Sequence, residues 1–150
     1  MLAVGHRFPD CRLGPIASAQ VTAYAAASGD DNPLHTDIEC ARSFGFSAPL
    51  VHGLLLMGLF QSACRCWGLG GTIAQMETRF VSPVMQGTEL RYCGNVAAAD
   101  AEGVRIRIVV RNADNVLCLV GSLLLRAEDA GRAASTEHTA ASRDERSDQG

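Results

Sequence analysis

Turn-forming and titratable side chains are concentrated between Ser28 and His35, more densely than elsewhere in the sequence before its polar C-terminal tail. A histidine exchanges protons near neutral pH, and a carboxylate can orient an imidazole or a water molecule. Asp30 and His35 are therefore typical of general acid-base chemistry. Pro33 restricts the residue before it, while Asn and Asp side chains bond nearby backbone groups, so we expect a rigid loop. Asp31 offers the same carboxylate, and the spacing alone does not choose between the two.

An apolar stretch from Leu50 to Trp67 follows this loop and has no polar face before Gln61. A helix that is hydrophobic all round must be surrounded by protein or by lipid. A membrane span needs roughly 20 apolar residues, whereas Gln61 and Arg65 interrupt this stretch and glycines follow it. We therefore predict a helix enclosed in a protein core and no membrane span.

The residues at the start of this helix are candidates for the same site. The first amides of a helix have no intrahelical partner, and Gly53 would let a ligand approach them and place a developing oxyanion there. Close packing accounts for the glycine equally well. His52 is interpreted as structural, with a place in the site wall as the alternative. His6 and His138 are interpreted as solvated.

Composition excludes several classes of function. The chain has 150 residues, 47% hydrophobic, with a formal charge of -3, which is typical of one soluble domain and not of a nucleic-acid-binding protein. All 13 basic residues are arginine, so Schiff-base lysine chemistry is excluded. The start of the chain lacks the pattern of a signal peptide, so we expect a cytoplasmic protein with reduced cysteines. The six scattered cysteines are interpreted as small buried hydrophobes and not as a metal site.

Three short elements are predicted before the apolar stretch. Arg7–Leu13 is expected to form an edge strand or an extended arm. One helix is predicted to have its N-cap at Ser18 and to end at Gly29. A capping-box pattern that begins at Thr36 predicts a second helix, which ends at Gly45.

Four strands are predicted after the apolar stretch, without a helical pattern between them. In the third, arginines alternate with Ile106, Ile108 and Val110, which indicates one buried and one wet face. The turns are short enough for antiparallel neighbours, so we predict an antiparallel sheet with a helix on its apolar face. The strands are Thr72–Ser82, Thr88–Ala97, Val104–Asn112 and Val116–Arg126.

The C-terminal segment 128–150 contains no apolar residue larger than alanine. Such a composition cannot bury enough apolar surface to fold, so we predict a domain over 1–127 followed by a disordered polar tail. We expect the tail to be dispensable for stability and turnover.

Two strings of residues resemble a known family. Tyr24–His35 followed by Pro49–Gly53 resembles the hydratase motif of the MaoC-like family, the (R)-specific enoyl-CoA hydratases. Arg79–Val84 with Gly87 is similar to the strand and turn that follow in that family. The resemblance covers about Gly5 to Ala127. It implies an α+β hot-dog fold, in which a curled antiparallel sheet is wrapped around one central apolar helix.

The resemblance also implies a role for individual residues. It assigns Asp30 and His35 as the catalytic pair that binds and activates a water molecule, and the Gly53 amide as the donor to the thioester oxygen. Supporting positions divide into loop residues and possible site-wall residues: Asn32 and Pro33 in the first group, Tyr24 and His52 in the second.

The implied reaction adds water to a trans-2-enoyl-CoA thioester to give an (R)-3-hydroxyacyl-CoA, or reverses it. No metal or redox cofactor is implied, CoA being part of the substrate, and the family pairs two copies into a homodimer. One alternative is dehydration on an acyl carrier protein, which predicts a basic surface patch for an acidic partner. The other is a non-catalytic protein that holds acyl thioesters, although the presence of Asp30, Asn32, His35 and Gly53 together argues against it.

Overall fold

Five antiparallel strands form one sheet in the computed structural model, which describes residues 2–126. The sheet has the order β1-β3-β4-β5-β2, so β1 and β2 are its edges. The four long strands and the short edge strand predicted from sequence are confirmed. The predicted end of the domain at 127 and the tail 128–150 lie outside the described residues. The strands are β1 (Cys11–Leu13), β2 (Thr72–Phe80), β3 (Leu90–Asp100), β4 (Gly103–Asn112) and β5 (Leu117–Arg126).

One predicted pairing is wrong, because β2 and β3 are not neighbours. β2 pairs with β5, and β3 lies between β1 and β4. The segment between β2 and β3 instead bonds to the chain just before the apolar helix. The Val51 N–H donates to the Val84 carbonyl at 2.7 Å, and the Gln86 N–H donates to the Pro49 carbonyl at 2.8 Å. These hydrogen bonds hold the segment between β2 and β3 against the residues that precede α3, so β2 and β3 do not form a hairpin.

The helices surround the loop that carries Asp30 and His35. Both helices before the apolar stretch end as predicted at glycines with positive φ, 75° at Gly29 and 85° at Gly45. The elements are α1 (Ser18–Ser28), a one-turn 3₁₀ helix (Pro33–His35), α2 (Ile38–Ser43), α3 (Gly53–Gly58) and α4 (Phe60–Cys66).

The predicted N-caps of α1 and α2 are each displaced by one residue. The cap of α1 is Ala17, whose N–H donates to the Gln20 side chain at 2.8 Å, and Ser18 is already helical. The cap of α2 is Asp37 and not Thr36, because the Asp37 carboxylate accepts from the second and third amides of the helix at 2.8 and 3.3 Å. A carboxylate beside those amides replaces the hydroxyl that the pattern had suggested.

α3 and α4 divide the apolar stretch at Leu59 and cover the inner face of the sheet. Phe60 is fully buried and lies edge-on to Tyr92, with ring centroids 6.1 Å apart. The expectation of a helix enclosed on every side is wrong for a single chain, since Leu54 is 63% exposed. No helix among residues 2–126 is long and apolar enough to cross a membrane. The alternation in β4 is confirmed, because Ile106, Ile108 and Val110 are fully buried.

Candidate active site

Local hydrogen bonds fix the backbone of the loop between α1 and α2. Asn32 caps the 3₁₀ helix, and its side-chain oxygen accepts from the Leu34 N–H at 3.0 Å. Pro33 occupies the first turn, where no N–H is needed. The His35 N–H donates to the Asn32 carbonyl at 3.0 Å. Asn32 and Pro33 therefore shape the segment that presents His35.

The backbone of Asp30 is held from two sides. Its N–H donates to the Ser28 hydroxyl oxygen at 3.2 Å, and that hydroxyl donates to the Tyr24 carbonyl at 2.7 Å. Its carbonyl lies 3.1 Å from the ring nitrogen Nε2 of His52. The Asp30 side chain is exposed and makes no hydrogen bond or ion pair within the described chain. The carboxylate is thus available to a water molecule or a ligand.

The environment of His35 determines which ring nitrogen carries its proton. Nδ1 lies 3.0 Å from the Leu50 carbonyl oxygen, which can only accept, so the neutral ring is assigned the Nδ1–H tautomer. Nε2 is then unprotonated and able to accept a proton. The Gln86 side chain donates to the His35 backbone carbonyl at 2.6 Å. Two contacts from outside the loop therefore orient the imidazole and its backbone.

His52 lies against both predicted catalytic residues. Its ring is 1% exposed and stacks on the His35 ring, with centroids 3.8 Å apart and an interplanar angle of 26°. Tyr24 packs on it at a centroid distance of 4.9 Å. Through Nε2, His52 also contacts the Asp30 carbonyl. The positions of these two rings agree with the interpretation of Tyr24 and His52 as residues of the site wall.

Asp30, His35 and His52 each offer a polar atom, and these atoms lie within 4.8 Å of one another. A metal such as zinc needs ring nitrogens whose lone pairs converge at about 2.0–2.1 Å. Nearly parallel stacked rings direct their in-plane lone pairs side by side, so the two imidazoles do not converge on one ion. Two hydrogen bonds of about 2.8 Å to one water molecule span up to about 5 Å. The spacing therefore suits a water held between a carboxylate and an imidazole.

The position of Gly53, the first residue of α3, agrees with both interpretations made from the sequence: close packing and an amide that a ligand can approach. A Cβ at this position would lie 3.0 Å from two atoms of the Phe80 ring, so a larger residue would require that side chain to shift, and close packing favours a glycine. Its N–H also has no hydrogen-bond partner within residues 2–126. The amide next to His52 is thus available to an oxygen atom of a ligand.

Three of the six cysteine thiols are poor candidates for nucleophiles. Burial raises the pKa of the Cys11 thiol to about 12 and also raises the pKa of Cys64 and of Cys118. A raised pKa keeps a thiol protonated and unreactive at neutral pH. The prediction of buried cysteines is right for these three, whereas Cys66 is exposed.

A groove of about 720 Å³ lies apart from the histidine cluster, between α4 and the start of β2. It begins at Gly58, which is five residues beyond Gly53 and so about 7.5 Å further along the helix. Gln61, Arg65 and Met76 line its walls. The Gly53 amide and this groove thus lie at successive positions along α3 and α4.

Sequence reasoning missed three contributors to the site. Gln86 orients the loop through the His35 carbonyl, Ser28 bonds to the Asp30 N–H, and Leu50 supplies the carbonyl that sets the His35 tautomer. A backbone carbonyl has no sequence signal. Gln86 lies 51 positions from His35, so only the fold brings the two together.

Comparison with known proteins gives one consistent group. The model of a family described as MaoC like domain matches residues 8–116. The (R)-specific enoyl-CoA hydratase of Aeromonas caviae is 39% identical over 75 residues, which are 49% of this chain and 56% of that protein. The mitochondrial 3-hydroxyacyl-[acyl-carrier-protein] dehydratase of Arabidopsis thaliana is 37% identical over 90 residues, 60% of this chain and 53% of that protein. The chain thus spans about half the length of these curated relatives.

Solved structures confirm the predicted α+β hot-dog fold. An (R)-hydratase of A. caviae involved in PHA biosynthesis superimposes with a TM-score of 0.74 and 28% identity, covering 84% of this chain and 97% of that one. The ChsH1-ChsH2 complex of Mycobacterium tuberculosis superimposes with a TM-score of 0.72 and 22% identity, covering 84% of this chain and 100% of that one. At that lower identity the likeness concerns the fold alone.

Proposed function

The chain belongs to the MaoC-like domain family, and we propose that it adds water to a trans-2-enoyl-CoA thioester to give an (R)-3-hydroxyacyl-CoA, or catalyses the reverse dehydration. Its relatives include hydratases and dehydratases, which supports a hydro-lyase. One observation carries the proposal. The Asp30 carboxylate and the His35 imidazole, whose Nε2 is assigned as unprotonated, lie within 4.8 Å, the separation that one bound water requires.

The proposed mechanism uses this water as the nucleophile. Asp30 and His35 orient it, and His35 Nε2 accepts one of its protons while the oxygen attacks C3 of the enoyl group. The Gly53 N–H donates to the thioester oxygen, which becomes enolate-like as the bond forms. A proton then returns from the catalytic pair to C2, and the (R)-3-hydroxyacyl thioester is complete. Dehydration follows the same steps in reverse.

The acyl chain is proposed to extend from the Gly53 amide along α3 and α4 into the groove that begins at Gly58. The groove is partly apolar, through Ile73, Met76 and Leu125. Gln61 and Arg65 also line it, so a polar terminus on the acyl chain is compatible with it.

A panel of trans-2-enoyl-CoA thioesters with short, medium, long and ω-carboxylated chains tests the proposal. We expect loss of the absorbance of the conjugated thioester for at least one chain class. The dyad of Asp30 and His35 is proposed to act on any enoyl thioester, whereas the groove is proposed to select the acyl chain. Binding without turnover for every thioester would instead support the non-catalytic interpretation.

Dehydration on an acyl carrier protein is the second candidate because of the outer face of the sheet. Arg105 and Arg107 alternate with buried residues of β4, and the register through β5 places Arg79 on the same face. Such a face complements an acidic carrier protein. An Arg107→Glu variant should then lose kcat/KM for a carrier-linked substrate while keeping its kcat/KM for the CoA thioester. If Arg107→Glu keeps the wild-type kcat/KM for both substrates, the arginine face does not bind a carrier protein and CoA remains the proposed carrier.

A homodimer is proposed because the β2 edge carries an apolar patch of Leu54, Phe80 and Val81, which are 63%, 48% and 47% exposed. β2 pairs with β5 on one side only, so its other edge is open to a second copy. We expect light scattering to give a dimer at micromolar concentration and a Val81→Arg variant to shift toward monomer. Val4→Arg is the matched control, since Val4 is 64% exposed elsewhere. A monomeric wild type would contradict the proposal.

Metal removal is expected to leave the reaction unchanged, because the proposed chemistry needs only the water, the dyad and the amide. Neither a metal nor a redox cofactor is part of the proposal. The measurement is the steady-state kcat before and after dialysis against EDTA. A loss of rate that added Zn²⁺ or Mg²⁺ restores would show that the site uses a metal.

A further inference from the structure

His52 is 1% exposed, and its contacts do not resemble those of a core residue. A core imidazole usually bonds through both nitrogens. Here Nε2 lies 3.1 Å from the Asp30 carbonyl, while Nδ1 has no partner within residues 2–126. A hydrocarbon of similar size would fill the same space without leaving a buried acceptor unbonded. The imidazole must therefore contribute through Nε2 or through its face.

The Nε2 contact assigns the position of one ring proton of His52. A carbonyl oxygen only accepts, so Nε2 carries the proton and donates to Asp30. In the neutral ring, Nδ1 is then an unprotonated acceptor, and no group among the described residues donates a hydrogen bond to it. His52 is thus assigned the Nε2–H tautomer, opposite to the Nδ1–H tautomer of His35.

The face of His52 meets the other member of the dyad. Its ring covers the His35 ring at a centroid distance of 3.8 Å, and Tyr24 packs on it at 4.9 Å. His35 is only half-buried, so this stacking supports a ring that is otherwise held by the single Nδ1 bond to Leu50. One rigid, buried ring therefore contacts both groups that must share a water molecule.

We propose that His52 is a positioning residue, which holds the Asp30 backbone through Nε2–H and supports the His35 imidazole with its face, and so sets the separation of the two catalytic groups. The inference rests on the proposed hydration and goes beyond it by assigning a third side chain. His52 is assigned no contact with the reacting atoms. Small errors in placement lower the rate of the chemical step more than they weaken substrate binding.

Two substitutions at His52 separate the contribution of the Nε2–H donor from that of the aromatic ring. His52→Phe keeps a ring against His35 and removes the donor, whereas His52→Gln keeps an amide N–H in place of Nε2–H and removes the ring. We expect His52→Phe to lower kcat by roughly tenfold to a hundredfold with little change in KM. His52→Gln should recover a large part of that loss, because His35 keeps its own bond to the Leu50 carbonyl, whereas the Asp30 carbonyl has no other donor among the described residues. His6→Phe, at an exposed histidine outside the site, is the control and should leave both constants unchanged.

Melting temperatures measured alongside distinguish positioning from a structural role. A structural role predicts that the two variants lose kcat in the order in which they lose stability. The positioning role predicts a higher kcat for His52→Gln than for His52→Phe whichever variant melts lower. Wild-type kcat in His52→Phe, or a His52→Gln variant no more active than His52→Phe, would overturn the inference.

A spectroscopic measurement tests the inference even if the protein hydrates no enoyl thioester. Nitrogen-15 correlation spectra of the imidazoles report which ring nitrogen is protonated. We expect a proton on Nε2 of His52 and on Nδ1 of His35. An unprotonated Nε2 at His52 would overturn the inference. A wild type that shows the expected tautomers but no hydration would overturn the proposed function alone.

Discussion

Asp30→Asn and His35→Ala are each expected to lower kcat by roughly 10²–10⁴, the usual range for a positioned acid-base group. The asparagine keeps the size of the side chain and the backbone bonds to Ser28 and His52, but it removes the carboxylate charge. The alanine removes the nitrogen that is assigned to accept the proton. Steady-state kinetics on the best thioester of the panel measure both losses.

The double variant is expected to resemble the worse single variant, because groups that act on one water molecule are strongly non-additive. Asp31→Asn is the matched control: Asp31 is the adjacent, exposed carboxylate, and it lies outside the cluster of Asp30, His35 and His52. It should keep kcat near the wild-type value. Thermal unfolding of each variant checks that the loop still folds. Wild-type activity in a folded Asp30→Asn variant would remove Asp30 from the mechanism.

Phe60→Ala is expected to cost about 3–5 kcal/mol of the free energy of unfolding, the range for removing a fully buried aromatic ring. Phe60 is 0% exposed and anchors α4 on the sheet. Gly121 leaves room for it, since a Cβ there would lie 2.9 Å from the Phe60 ring. Tyr92 cannot move into the space without losing the hydrogen bond that it donates to the Leu56 carbonyl at 3.1 Å.

Phe44→Ala is the control for this loss, because Phe44 is 69% exposed. A surface substitution of this kind is usually within about 0.5 kcal/mol of neutral. Urea unfolding of both variants gives the comparison. Similar midpoints for Phe60→Ala and Phe44→Ala would contradict the description of Phe60 as a buried anchor of α4 on the sheet.

Local patterns predicted most of the secondary structure because they depend on neighbours in the chain. The alternation in β4, the glycine ends of α1 and α2, and the proline-restricted loop are all local features, and the structure has them. Cap positions were displaced because adjacent residues compete for the same amides, as Asp37 and Thr36 do. The absence of a β2–β3 hairpin depends on bonds to Pro49 and Val51, which no local pattern reports.

The candidate site also has one part that local sequence predicted and one part that depends on the fold. Asp30 and His35 lie five positions apart, so a single rigid loop made their proximity predictable. His52 is 17 positions from His35, and only the return of the chain between α2 and α3 stacks the two rings. Its interpretation as structural was reasonable for a histidine beside an apolar helix, and its contacts with both members of the dyad became visible only in three dimensions.

Enantiomeric analysis of the product formed by the wild-type protein from a trans-2-enoyl-CoA tests the central claim most directly. In the proposed mechanism the loop holds one water molecule against one face of the enoyl group, so a single enantiomer is expected. We predict (R)-3-hydroxyacyl-CoA, with its formation slowed in parallel by Asp30→Asn and His35→Ala. An (S) product, a racemic product, or an unchanged thioester across the whole panel would contradict the account.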